Sequence, residues 1–119
     1  NKVLCSDLEK TIIDCLFKPD YAGGIVEVAK AINQTKNKIK FDALYSYVKK
    51  FKSQAVIKRL GFLLEILEIK TDIIEELLKL KSMSYVLLDT GLPKSGKMIS
   101  RWSIQQNLEI QTIKSAIHT

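Results

Sequence analysis

Gln54-Ala55-Val56-Ile57-Lys58-Arg59-Leu60-Gly61-Phe62-Leu63-Leu64-Glu65-Ile66-Leu67-Glu68-Ile69 is the stretch on which the fold turns. Val56, Ile57, Leu60, Leu63, Leu64 and Leu67 recur at the period of an amphipathic helix, and Ser53 stands where a capping hydroxyl is needed. Phe62 and Ile66 fall outside that stripe, so more than half of the circumference is apolar. Such a helix has to be contacted on several sides, which predicts a central position in a bundle. Gly61 costs about 1 kcal/mol relative to Ala in a helix interior. Its expected role is to admit close approach of another helix.

The flanks supply the covering elements. Upstream, Phe41 to Phe51 is predicted helical, with Phe41, Leu44, Tyr45 and Val48 inward, behind a polar loop from Thr35 to Lys40. Ala22-Gly23-Gly24 opens an earlier helix, Ile25 to about Gln34, carrying Ile25, Val28, Ala29 and Ile32 on one face. Before it, Leu8, Ile12, Cys15 and Leu16 mark a first helix that Pro19 ends, with Ser6-Asp7-Leu8-Glu9 reading as its capping box. Downstream, Ile73 to Leu80 forms a fifth helix. The character then changes: Tyr85-Val86-Leu87-Leu88 and Ile99 to Ile104 are β-leaning around a Gly/Pro/Ser loop, Asp89 to Lys97. That pattern predicts a β-hairpin, with Lys2 to Cys5 as a short strand at its edge. Ile110, Ile113 and Ile117 give the tail helical spacing, but so short a helix is stable only if it docks. The expected fold is α+β and mainly α, a bundle of about five helices with a small C-terminal β-hairpin, in one domain of 119 residues.

Charge is distributed unevenly. The net charge is +6, yet between Lys30 and Leu60 nine cations face only Asp42, whereas Glu65, Glu68, Asp72, Glu75 and Glu76 face only Lys70. This polarity suits an anionic partner, either nucleic acid or an acidic protein face. Only two of the nineteen cations are Arg, which disfavours reading of base edges by this segment. No stretch is long and apolar enough to span a membrane, and no secretory segment is visible. Two cysteines without CxxC spacing and a single histidine, His118, leave little for a metal site or for His-based catalysis. The expectation is a reduced, cytoplasmic chain without metal or cofactor.

Gly91-Leu92-Pro93-Lys94-Ser95-Gly96-Lys97 spells a phosphate-loop pattern, but Met98 stands where a magnesium-binding hydroxyl belongs and the following residues look extended. It is read as a hairpin loop. Paired acid–base catalysis needs a buried, opposed carboxylate pair, and the acidic residues lie instead on charged helix faces beside lysines. No catalytic residue is assigned. Trp102 is expected to anchor the core, with Arg101 on the opposite face of a strand. The tyrosines at 21, 45, 47 and 85 fall on different elements and do not spell an interleaved aromatic–basic sheet.

Several stretches taken together resemble a known family. They are Ser6-Asp7-Leu8-Glu9-Lys10-Thr11-Ile12-Ile13-Asp14-Cys15-Leu16; the Pro19…Ala22-Gly23-Gly24-Ile25-x-Glu27-Val28 junction; Val56-x-x-Arg59-Leu60-Gly61-Phe62-Leu63-Leu64-Glu65; and Tyr85-Val86-x-Leu88-Asp89 followed by Gly96 and Arg101-Trp102…Asn107. Their order and spacing resemble the C-terminal domain of the AbiEi-type antitoxins of abortive-infection (type IV) toxin–antitoxin operons, also described as transcriptional regulators. The resemblance implies an antitoxin domain over 1–107 that counters a nucleotidyltransferase-like toxin by non-covalent protein binding. It also implies an N-terminal winged helix-turn-helix that binds the operon's promoter. That domain is absent from this chain, since only five residues precede Ser6, and DNA binding and autoregulation would rest mainly on it. The chain opens without Met and reads as a piece of something longer or a stand-alone variant. Residues 108–119, a helical tail, fall outside the resemblance. The residues expected to form a basic surface for partner or phosphate are Lys49, Lys50, Lys52, Lys58 and Arg59, with Lys97 and Arg101 at the hairpin. For Arg59 an internal ion pair, and for Gly61 a helix crossing, are equally open. The alternative function is a nucleic-acid-binding domain that grips phosphate backbone through its Lys-rich face.

Overall fold

Six α-helices and a three-stranded sheet make up the computed structural model, which describes residues 8–118. The strand expected at Lys2–Cys5, and Ser6 of the capping box, lie outside those residues. The central helix is α4, Gln54–Ile66, in which Val56 through Leu64 are all buried. The Ser53 hydroxyl accepts the Val56 amide at 3.3 Å, the cap read from the sequence. The helix stops three residues earlier than its apolar period suggests. Glu68 turns left-handed (φ 59°), and the amides of Glu68 and Ile69 fold back onto the carbonyls of Glu65 and Leu64. This reverse turn satisfies the last carbonyls and keeps both Leu67 and Ile69 buried on either side of it.

Helix α1, Leu8–Phe17, packs on α4 and on α3, Phe41–Phe51, and α5, Ile73–Leu80, covers another side of α4. Helix α2, Ile25–Thr35, follows a short 3-10 turn at Pro19–Ala22 and lies against α1. Glu9, the other half of that capping box, serves α3. Its carboxylate is buried and accepts the Lys40 amide at 2.9 Å, fixing the start of α3 from a distance of 31 residues. The predicted apolar faces pack inward: Ile12, Leu16, Ile25, Val28, Ala29, Ile32, Leu44, Val48 and Leu77 are all buried.

The sheet departs from the expected hairpin. Strand β1 is Val86–Leu87, β2 is Lys97–Ile99 and β3 is Ile104–Gln106, in the order β1-β3-β2. β3 runs parallel to β1 and antiparallel to β2. The hairpin therefore joins β2 to β3, and residues 88–96 cross over to carry the chain from one edge of β3 to the other. The β-leaning run 99–104 breaks into a turn whose last residue, Ser103, is left-handed (φ 53°), so Arg101 and Trp102 sit in that turn and not in a strand. Alternation in three short segments cannot say which one lies in the middle. The tail forms α6, Ile110–Ile117, which docks on α2 and buries Ile113 completely. No helix among the described residues is long and apolar enough to cross a membrane.

Candidate binding surface

Residues quoted above from separate stretches of the sequence interlock. Arg59 is buried at 3 % exposure. Its Nε donates to the Leu87 carbonyl at 2.9 Å and its Nη1 to those of Leu16 (2.8 Å) and Phe17 (3.2 Å). One guanidinium thus closes the end of α1 and ties it to β1, the charge opposing the negative pole of that helix. Burial lowers the Arg59 pKa, and Asp89 and Asp20 oppose the shift. Asp89, also buried, accepts the Ile25 amide on Oδ2 (3.1 Å) and the Gly91 amide on Oδ1 (2.8 Å). It does for α2 what the N-cap residue Gly24 has no side chain to do. Asn107 clasps Asp89 in turn, accepting its amide at 3.0 Å and donating to its carbonyl at 2.8 Å.

The Glu65 carboxylate receives the Arg101 guanidinium through Nε (2.9 Å) and Nη2 (2.6 Å), and the Trp102 indole N–H at 2.6 Å. The Arg101 bonds hold its pKa below the ordinary carboxylate value, against the opposing effect of burial. Trp102 is 1 % exposed, the core anchor the sequence promised. It is the Trp102 ring, not a second helix, that approaches Gly61: a Cβ there would land inside the indole.

The seven predicted cations therefore divide. Lys58 and Arg59 are withdrawn from the basic surface. Lys58 is fully buried, its ammonium bonded to the Ser82 hydroxyl (2.9 Å) and the Ser84 carbonyl, and burial, followed by nearby Lys81, lowers its pKa. The apolar period of α4 runs over both residues, and only contact with other elements reveals that their polar ends are used internally. Arg101 is exposed but occupied by Glu65, while Lys97 is exposed on β2. Lys49, Lys50 and Lys52 are exposed on and beside α3, on two different sides. Lys49 and Lys52 border a cleft of about 330 Å³ with Gln54, Ile57 and Leu80. Lys50 lines a groove of about 380 Å³ between α1 and α3, with Lys10, Ile13, Asp14, Tyr47 and Phe51.

That groove and the residues beside it hold what the sequence reading missed. The Lys10 ammonium lies 5.3 Å from the Tyr47 ring centre. Phe51 meets Phe17 edge to face at 5.2 Å, and Lys18 lies over both Phe17 (5.9 Å) and Tyr21 (5.1 Å). Tyr47, Lys50 and Phe51 fall within one turn of α3, and Lys10, Asp14 and Phe17 recur along α1. The signal was present, but only the crossing of the two helices assembles it. Tyr21, Phe17 and Phe51 are exposed, Tyr21 at 80 %. Cation–π contacts of this kind are individually of modest strength.

The phosphate-loop pattern opens no helix: Gly96 (φ 90°) turns against the Gln106 carbonyl, and Lys97 begins β2. No group of three or more metal-ligating side chains occurs among the described residues. No family model, curated protein or solved structure matches this chain.

Proposed function

We propose that this chain is the antitoxin domain of an AbiEi-type regulator, which neutralises a nucleotidyltransferase-like toxin by non-covalent protein binding. The observation that carries this reading is the interlocking just described. Arg59, Gly61, Glu65, Asp89, Gly96, Arg101, Trp102 and Asn107, far apart in sequence, meet to lock α4, the sheet and the start of α2 together. A set of residues that defines one framework is what a family signature is expected to be, which supports reading the matched spacings as a whole.

The signature residues are occupied with holding the fold, so the working surface lies elsewhere. Lys49, whose ammonium lies 4.9 Å from the Tyr45 ring centre, and Lys52 are exposed beside the cleft between α3 and α4 and are placed to steer an acidic partner face into contact. Promoter autoregulation belongs, on this reading, to the winged-helix part of the family's architecture.

Co-expression with a nucleotidyltransferase-like toxin, sought beside this chain's own gene, tests the proposal. The chain is expected to restore growth, and the Lys49→Glu/Lys52→Glu double variant to restore it at least tenfold less while keeping its helical circular dichroism. Undiminished toxicity beside well-expressed wild-type chain overturns the reading.

A further inference from the structure

From the groove between α1 and α3 we infer a second binding activity: it takes a single strand of nucleic acid, with bases stacked on its aromatic row and phosphates held by its lysines. This goes beyond toxin docking and does not depend on it. The occupant follows from the chemistry of the lining. Tyr47 and Phe51 line the groove with Lys10 and Lys50, and Phe17, in contact with Phe51, continues the aromatic surface beyond it to Tyr21, with Lys18 lying over both of those rings and Lys10 over Tyr47. Aromatic faces interleaved with cations are how strands are bound without sequence readout, because every base presents a flat face and every link a phosphate.

Length agrees. Lys10 and Lys18 are eight residues apart on or just beyond α1, so about 12 Å along its axis at about 1.5 Å per residue. That distance accommodates about three or four nucleotides at a stacked spacing of about 3.4 Å. A duplex hides the faces of its bases and cannot use the rings. Among the described residues Asp14 is the one carboxylate lining the groove. It repels phosphate, so its neutralisation strengthens binding.

The test is fluorescence anisotropy with a labelled twelve-residue oligodeoxythymidine, a twelve-base-pair duplex and a twelve-residue polyglutamate as competitor, at 50 and 200 mM KCl. The single strand is expected to bind at least tenfold tighter than the duplex. Its affinity should fall with salt on a log–log slope of about −2, as for about three neutralised phosphates. Phe51→Leu and Tyr21→Ser should each weaken it at least fivefold and Lys50→Gln about threefold. Asp14→Asn should tighten it, and Lys79→Gln, on α5, should change nothing. Tyr21 is too exposed for its loss to unfold the chain, so the aromatic requirement is tested even if Phe51→Leu is unstable. Equal affinity for duplex and single strand, indifference to both aromatic variants, or absence of binding at 50 mM KCl would overturn the proposal. Displacement by polyglutamate as readily as by unlabelled oligonucleotide would overturn it too, assigning the groove to an acidic protein segment. None of these results bears on toxin neutralisation.

Discussion

Trp102 fills the space a side chain at position 61 would need. The six-membered ring of the indole stands where a Cβ at 61 would, its N–H is bonded to Glu65, and the residue is 1 % exposed. Gly61→Ala pushes a methyl group into a buried aromatic ring whose N–H is held by Glu65, so overpacking should cost about 3 kcal/mol. A thermal melt should show a midpoint more than 10 °C lower, since about 1 kcal/mol moves a domain of this size by several degrees. If the variant instead melts higher, as an ordinary helix Gly→Ala does, the indole does not hold that position. At this scale the sequence spoke clearly about type and poorly about partner. Trp102 was legible as a core residue because large aromatic surface is costly to leave in water. That Gly61 answers to Trp102, and Arg59 to three backbone carbonyls, was not legible, because nothing in one helix names its neighbour.

Among the elements, helices announced themselves and strands did not. The predicted spans 41–51 and 73–80 coincide with α3 and α5, since about two to three turns of periodic apolar residues suffice to mark a helix. Two- and three-residue strands carry too little pattern to set their order, so the crossover that places β3 in the middle had no local signature. The same crossover brings Asp89 to the start of α2. Removing that carboxylate by Asp89→Ala leaves the buried Ile25 amide without its acceptor, a loss of about 2 kcal/mol. Urea unfolding should report it as a lower midpoint at unchanged slope, and hydrogen exchange should show the first turn of α2 opening more readily than that of α3, which Glu9 holds. Uniform loss of protection throughout the chain would mean that Asp89 acts on the fold at large, not on one helix terminus.

For the whole molecule, the separation of basic and acidic stretches in sequence survives folding in part. The lysines of α3 stay outside, but two of the predicted cations go inside, and the aromatic groove appears only when α1 and α3 are laid side by side. Composition reports how much charge there is; the helix crossing decides where it is offered. The acidic side has its own consequence. In the folded state the Glu65 pKa lies below its ordinary value of 4.5, chiefly because of Arg101. Unfolded chains therefore bind the extra proton first, and the stability this pair contributes is complete above about pH 5 and lost as pH falls through the lowered folded value. Melting temperature should drop on acidification below pH 4.5, and Glu65→Gln, less stable at neutrality, should converge on the wild type there. Curves that remain parallel down to pH 3 would show that Glu65 plays no part in acid sensitivity.

The bonds from Asp89 to Ile25, Thr90 to Asp20 and Arg59 to Leu16 span 64, 70 and 43 residues. A bundle of helices with only neighbourly contacts folds in microseconds to milliseconds, whereas loops of this size must close before their contacts repay the lost entropy. We expect the helices to meet early and the clasp on α2 to close last. An interaction made after the rate-limiting crossing does not hurry assembly; it slows escape. On that expectation the long-range latch lengthens the native-state lifetime, setting how rarely the finished molecule comes open.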